Sequence, residues 1–247
     1  MESNDQNQAT IETTGLELGF WDRLINIFTN PRKTFESLDR QPSWLVPVII
    51  MVCITILSTQ LLFPMLIDKQ LEMIRNNPNI STEQLQAIEQ QLTENVNTQR
   101  VITLISQIIF IPVVFYFLLV FIFYFIGTVI LGGDASYKKV LSVFAWSTFI
   151  LALSVIITFP LAMIKNSMSI SLSPALLLPD DSIDTTIYAF LANFNIFTIW
   201  FLAVFATGFA VIYRFSLTKA YITIGLLWCI WIAISTAFSG FFSRFGM

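Results

Sequence analysis

Residues 131–147 read LGGDASYKKVLSVFAWS, and the fold turns on what this stretch does. Two adjacent glycines, an aspartate and two adjacent lysines interrupt a part of the chain that is otherwise almost wholly apolar. One reading is a phosphate-cradling loop at the working end of an enzyme; the other is the turn between two membrane helices. A phosphate loop needs a strand before it, glycine directly before the lysine and serine or threonine directly after it. Here Tyr137 precedes Lys138, Lys139 follows it, and an uncharged run over 101–133 leads in. The stretch is therefore expected to be an elbow, with Gly132 and Gly133 permitting the reversal and Asp134 capping the next helix. Lys138 and Lys139 then sit near that helix's positive end, where the macrodipole opposes each by about 0.3–1 kcal/mol. An anionic leaflet would offset this by about 1 kcal/mol per lysine.

Working outward, five long stretches lack Asp, Glu, Lys and Arg: 41–67, 101–133, 140–164, 185–213 and 220–243. Each reaches or exceeds the roughly 20 residues that cross a hydrocarbon core of about 30 Å. Helices are expected, because the alternation of a barrel strand is absent and lipid offers the backbone no partners. The expected fold is an all-α integral membrane bundle with spans near 44–66, 104–130, 140–163, 187–212 and 220–242. Pro112 lies inside the second span and favours a kink. Composition agrees: 55% of the residues are hydrophobic, 24 are Phe and only 12% are charged, against about a quarter charged in soluble domains. A net charge of -3 provides no general basic surface for nucleic acid. With no histidine, and with Cys53 and Cys229 inside apolar runs, no metal site, cofactor or disulfide framework is expected.

Lysine and arginine set the orientation. With the N-terminus cytoplasmic, the inner segments hold eight basic residues: Arg23, Arg32, Lys33, Arg40, Lys138, Lys139, Arg214 and Lys219. The outer segments hold five, diluted by carboxylates. The C-terminus is then outside. Residues 1–15 have too little apolar content to fold alone, and no signal peptide is legible ahead of the first span. Over 16–43, Phe20, Trp21, Leu24, Ile25 and Phe28 recur at helical spacing, as on a helix lying in the membrane surface. Asn30 and Pro31 can then open a second short helix that carries Phe35 and Leu38 on one side. Between the first two spans, Ser81 and Gln84 have capping-box spacing ahead of Leu85, Ile88, Leu92 and Val96. With the outward continuation of the first span, this predicts an external helical hairpin.

No ionisable side chain lies deep in any span, which argues against a proton relay, a voltage sensor or an intramembrane hydrolase. No nucleophile has a base beside it, so no catalytic residue is assigned. The polar residues within the spans, above all Gln60, Gln107, Asn193 and Asn195, are expected to hydrogen-bond between helices at about 0.6–2 kcal/mol each. The competing role is to line a path for a neutral or lipid-like solute, which would make the chain a channel or transporter. Small residues four apart, such as Ala203 with Thr207 and Ala206 with Ala210, suit close helix packing within one chain or in a homo-oligomer.

Three stretches together resemble the Yip-domain (Ypt-interacting protein) family in its bacterial form. They are NPRKTFESLDRQPSWLVPVII before and into the first span, GGDASYKKVLSVFAWS at the elbow, and FNIFTIWFLAVFATGFAVIYRFSLTKAY from the fourth span to the fifth. The resemblance implies a five-helix bundle with a cytoplasmic N-terminal region and no known catalytic centre. Eukaryotic relatives are associated with Rab-type GTPases and carry an Asp-Leu-Tyr-Gly-Pro-type signature before their first span. Here SWLVP stands in its place, so no GTPase-binding residue carries over. The expectation is a non-enzymatic scaffold of the bacterial cytoplasmic membrane that organises lipid or binds a protein. Arg32, Lys33, Lys138 and Lys139 are its candidate contacts for headgroups or a partner at the cytoplasmic face.

Overall fold

A computed structural model describes residues 18–77, 79–165, 172–179 and 185–244, with side chains as far as Ala237. Two short helices open it, α1 Phe20–Thr29 and α2 Pro31–Arg40, followed by the long α3 Leu45–Arg75 and by α4 Thr82–Glu94. Helix α5 runs over Val96–Ile130, α6 over Tyr137–Lys165, α7 over Thr186–Ala192, α8 over Ile196–Tyr213 and α9 over Leu217–Arg244. Among the described residues five helices, α3, α5, α6, α8 and α9, are long and apolar enough to cross a membrane. The chain is a multi-pass membrane protein. Below, the end of the bundle with the α5–α6 turn is the elbow end, and the end with α4 is the hairpin end.

Helix lengths explain the two ends. At 1.5 Å per residue, the 31 residues of α3 and the 35 residues of α5 overshoot a hydrocarbon core of about 30 Å. The excess of α3 pairs with α4 in the expected hairpin. Ser81 and Gln84 close the capping box, with Gln84 N–H donating to Ser81 Oγ at 3.3 Å and Ser81 N–H to Gln84 Oε1 at 3.0 Å. Arg75 bonds Glu89 at 2.6 Å across the hairpin, and Leu92 is buried beneath it.

Proline and asparagine shape the spans more than their hydropathy does. Pro112 has no N–H to give, and the ladder of α5 slips to π-helical spacing over Ile111–Leu118. The uncharged run 187–212 is not one span. Asn193 donates its amide to Ala189 O at 2.7 Å, and Asn195 Oδ1 accepts from Phe197 N–H at 2.9 Å. Both side chains serve backbone of their own turn, ending α7 and capping α8, as asparagine does where a helix begins. The crossing thus starts at Ile196. The elbow also differs from expectation in one detail: Ser136, not Asp134, is the N-cap of α6.

Helix α6 is the axis of the fold. Every residue from Val140 to Ile150 is buried, because α6 is enclosed by α8, the second half of α5 and the N-terminal pair α1 and α2. Phe144 meets Tyr116, Phe201 and Phe205 edge-on, with ring centroids 5.8, 5.6 and 5.4 Å apart. Such pairs contribute about 0.5–1.5 kcal/mol each beyond the area they bury.

The N-terminal helices are part of this core rather than a layer beside it. Phe28 meets Trp200, Phe35 meets Gly208, and Arg40 and Arg214 line one cleft, so α2 runs alongside α8 in the same direction. Phe35, Leu38 and Ile27 are fully buried. The apolar stripe of α1 is split: Phe20, Leu24 and Phe28 pack inward, whereas Trp21 and Ile25 face outward at 72% and 61% exposure. The face that α1 buries most deeply is instead Arg23 and Ile27. Arg23 is tolerated there because its guanidinium donates to Ser37 Oγ at 3.1 Å and Ser43 Oγ at 2.9 Å.

Truncation should separate these two faces. Phe35→Ala is expected to cost about 3–5 kcal/mol, the range for a fully buried aromatic, and Trp21→Ala to leave stability nearly unchanged. Thermal unfolding in detergent, followed by tryptophan fluorescence or circular dichroism, checks the contrast.

Candidate functional site

The elbow end gathers the features that the sequence singles out. Gly132 has φ +68° and ends α5 in the left-handed region, which glycine enters without strain. Gly133 has a different role. Together with Gly127 it forms a slot for the ring of Tyr213, and a Cβ at either position would overlap that ring. Gly133 N–H donates to Gly127 O at 2.9 Å, which closes the slot. The Tyr213 hydroxyl lies 3.2 Å from Thr128 Oγ1 and donates to Tyr124 O at 3.3 Å. Phe215 stacks on Tyr213 with centroids 5.3 Å apart, and the Lys219 ammonium sits 3.8 Å from the Phe215 centroid. Lys219 also donates to Leu131 O at 3.2 Å, placing a cation on the carbonyl end of α5, where the helix dipole favours it.

A second lock ties α2 to the same end. Gly208 leaves room for Phe35 and Val143 to meet the α8 backbone, where a Cβ would clash with both. One turn beyond Phe35, Asp39 accepts from Lys139 Nζ at 2.5 Å. Asp39 lies in the last turn of α2 and Lys139 in the first turn of α6, so each helix dipole opposes its own charge by about 0.3–1 kcal/mol. Pairing the two half-buried charges offsets both penalties. A third contact, Trp146 Nε1–H to Ser43 O at 2.8 Å, fixes the link between α2 and α3 to the axis.

The four basic residues proposed from sequence part company. Lys33 and Lys138 are exposed, and Arg32 is exposed but holds Glu36 at 2.9 Å on its own helix. Lys139 is partly buried and holds Asp39. The four amides divide in the same way. Gln60 joins α3 to α5: its Oε1 accepts from Arg100 Nε at 2.8 Å and its carbonyl from Arg100 Nη2 at 2.9 Å. Gln107 sits on the first half of α5, and its buried Oε1 has no hydrogen-bond partner among the described residues. Asn193 and Asn195 make the local bonds of the α7–α8 turn described above.

Sequence reasoning passed over two residues. Arg40 and Arg214 both line a cleft of about 380 Å³ between α2 and the α8–α9 turn, together with Arg32, Glu36, Asp39, Phe215 and Leu217. Among the described residues neither Arg40 nor Arg214 has an ion-pair partner. Arg214 is also the one described non-glycine residue at positive φ, +54°. Its N–H reaches Val211 O at 3.3 Å, and Phe215 N–H reaches Ala210 O at 3.0 Å. These are the paired bonds of a Schellman motif with arginine at the usual glycine position, a substitution that costs about 1–2 kcal/mol. The visible signal was a basic residue, where glycine is the rule, directly after an uncharged run.

The three stretches that make up this end lie within one family match: residues 25–239 match the model of the Yip1 domain. The chain belongs to the Yip1 domain family. No curated protein and no solved structure matches the chain. The Yip1 match begins inside α1 and ends inside α9, so α2, the elbow and the α8–α9 turn are all family territory.

The two glycine roles in this Yip1 domain are separable. Gly132→Asn should be mild, since asparagine tolerates the left-handed region and no atom lies within 4 Å of the added Cβ. Gly133→Asn should cost about 1–3 kcal/mol by overpacking against Tyr213. Gly127→Ala should be destabilising too, and adding Tyr213→Leu, which removes the Cζ, Cε2 and hydroxyl that its Cβ would meet, should recover part of the loss; equal effects at 132 and 133 in thermal unfolding would remove the slot.

Proposed function

We propose that this Yip1 protein is a non-enzymatic scaffold of the bacterial cytoplasmic membrane, with the elbow end on the cytoplasmic side. The observation that carries the reading is the triple lock at that end: Tyr213 in its glycine slot, Phe35 on Gly208, and Asp39 on Lys139. These contacts fix three separate parts of the chain into one platform, from which Lys33, Lys138 and the outward Trp21 and Ile25 project. A rigid face that presents cations and apolar rings suits a lipid headgroup layer or a docked protein.

The interior supports a scaffold over a channel or transporter. Around α6 the space is filled by Phe144, Trp146, Phe205 and Phe209, all buried. The hydroxyls that could line a path turn back on their own helices: Ser58 to Ile54 O at 2.7 Å, Ser147 to Val143 O at 2.8 Å and Thr148 to Ala145 O at 2.6 Å. The basic residues favour the same orientation, since Arg32, Lys33, Arg40, Lys138, Lys139, Arg214 and Lys219 gather at the elbow end.

Two experiments test this reading. With Cys53 and Cys229 replaced by alanine, a cysteine at Ser136 should resist a membrane-impermeant maleimide in right-side-out vesicles, and one at Gln86 should react. The reverse pattern would invert the orientation. Affinity capture of the full chain in mild detergent should recover a partner that Lys33→Glu with Lys138→Glu loses. Recovery of nothing, under conditions that keep other membrane complexes whole, would count against the scaffold.

A further inference from the structure

The cleft between α2 and the α8–α9 turn has a use that the platform alone does not need. Its carboxylates are already satisfied: Glu36 by Arg32 at 2.9 Å and Asp39 by Lys139 at 2.5 Å. Arg40 and Arg214 remain, two arginines with no carboxylate partner among the described residues, both lining a space of about 380 Å³. Arg214 occupies a backbone position that favours glycine, +54° in φ, and its side chain makes no hydrogen bond or ion pair with the described residues. The Schellman turn requires the positive φ but not an arginine at it, and a residue kept at a strained position points to a use for its side chain. Phe215 and Leu217 form an apolar wall on the α9 side of the cleft, where the first turn of a long helix begins.

We propose that this cleft binds the phosphate of an anionic phospholipid, with Arg40 and Arg214 on its oxygens and the glycerol and upper acyl carbons beside Phe215 and Leu217. Guanidinium matches phosphate geometry in a bidentate fork, which favours this ligand over a simple point charge. The position fits as well. The cleft lies at the turn between the spanning helices α8 and α9, where a chain leaves the apolar layer, and Leu217 in its lining is exposed. Free phosphate shares the charge chemistry but would leave the apolar wall without a partner. The site stands independently of the scaffold reading, since it needs no protein partner and no particular membrane side.

The test is a titration of the full chain in detergent micelles with phosphatidylglycerol, phosphatidylcholine or inorganic phosphate, read by native mass spectrometry. Phosphatidylglycerol should bind more tightly than phosphatidylcholine. Arg40→Gln and Arg214→Gly should each weaken phosphatidylglycerol binding about fivefold, the effect expected for one basic contact near a headgroup. Arg214→Gly carries the sharper information. Glycine relieves the positive φ, so this variant should unfold at a higher temperature than the wild type while binding the lipid less well. A loss of affinity alongside gained stability cannot come from misfolding. Unchanged phosphatidylglycerol binding in Arg214→Gly would overturn the proposal. So would binding of inorganic phosphate with no preference between the two lipids, which would assign the arginines to a free anion.

Discussion

Two charges that their own helices disfavour, Asp39 at the end of α2 and Lys139 at the start of α6, meet at 2.5 Å, one turn from Phe35 on Gly208. The ion pair specifies position, and the apolar contact contributes most of the energy. A half-buried pair of this kind gains modest net stability, but it leaves α2 one register on which neither charge stands alone against a dipole. In that register Phe35, Leu38 and Ile27 are fully buried. With α2 in place, the link to α3 is held by Trp146 and Ser43, and the first span begins from a fixed point on the axis.

The same end carries the slot for Tyr213, so both sides of the axial helix are held near its origin. This division of labour gives the molecule unequal halves. At the elbow end the spans are locked by aromatic packing, close glycine contacts and a short ion pair. At the hairpin end α3 and the first half of α5 are mostly lipid-facing, with Arg100 on Gln60 as a polar link between them. A binding surface belongs on the stiff half, because a platform that does not reorganise on docking loses less free energy when it is occupied.

Most of the fold was legible because it follows from long-range rules: uncharged runs of membrane length, basic residues at one end and a capping box before an amphipathic stripe. What escaped depended on contacts between parts of the chain far apart in sequence. Hydropathy cannot distinguish Asn193 and Asn195 as turn residues from interhelical partners, since their backbone bonds exist only once Ile196 starts a helix. Gly133 reads as a flexible turn residue until Tyr213, 80 positions later, is seen to fill the space it leaves. The tie between Lys139 and Asp39 cannot be read from either segment alone, since 100 positions separate the two. The stripe of α1 was legible in part for a related reason: Phe20, Leu24 and Phe28 pack inward beside Arg23 and Ile27, whereas Trp21 and Ile25 face outward.

The most direct test of this account is the amide hydrogen-exchange protection of residues 31–40 in the wild type, in Asp39→Lys and in the exchanged pair Asp39→Lys with Lys139→Asp. The single change leaves two lysines facing each other and should release α2, seen as lost protection. The exchange restores the pair and also puts each charge at the helix end that favours it, a gain of about 0.3–1 kcal/mol per end. Protection in the exchanged pair at or above the wild-type level is the predicted result. Protection as poor as in the single variant would mean that α2 is not held to the axis by this contact.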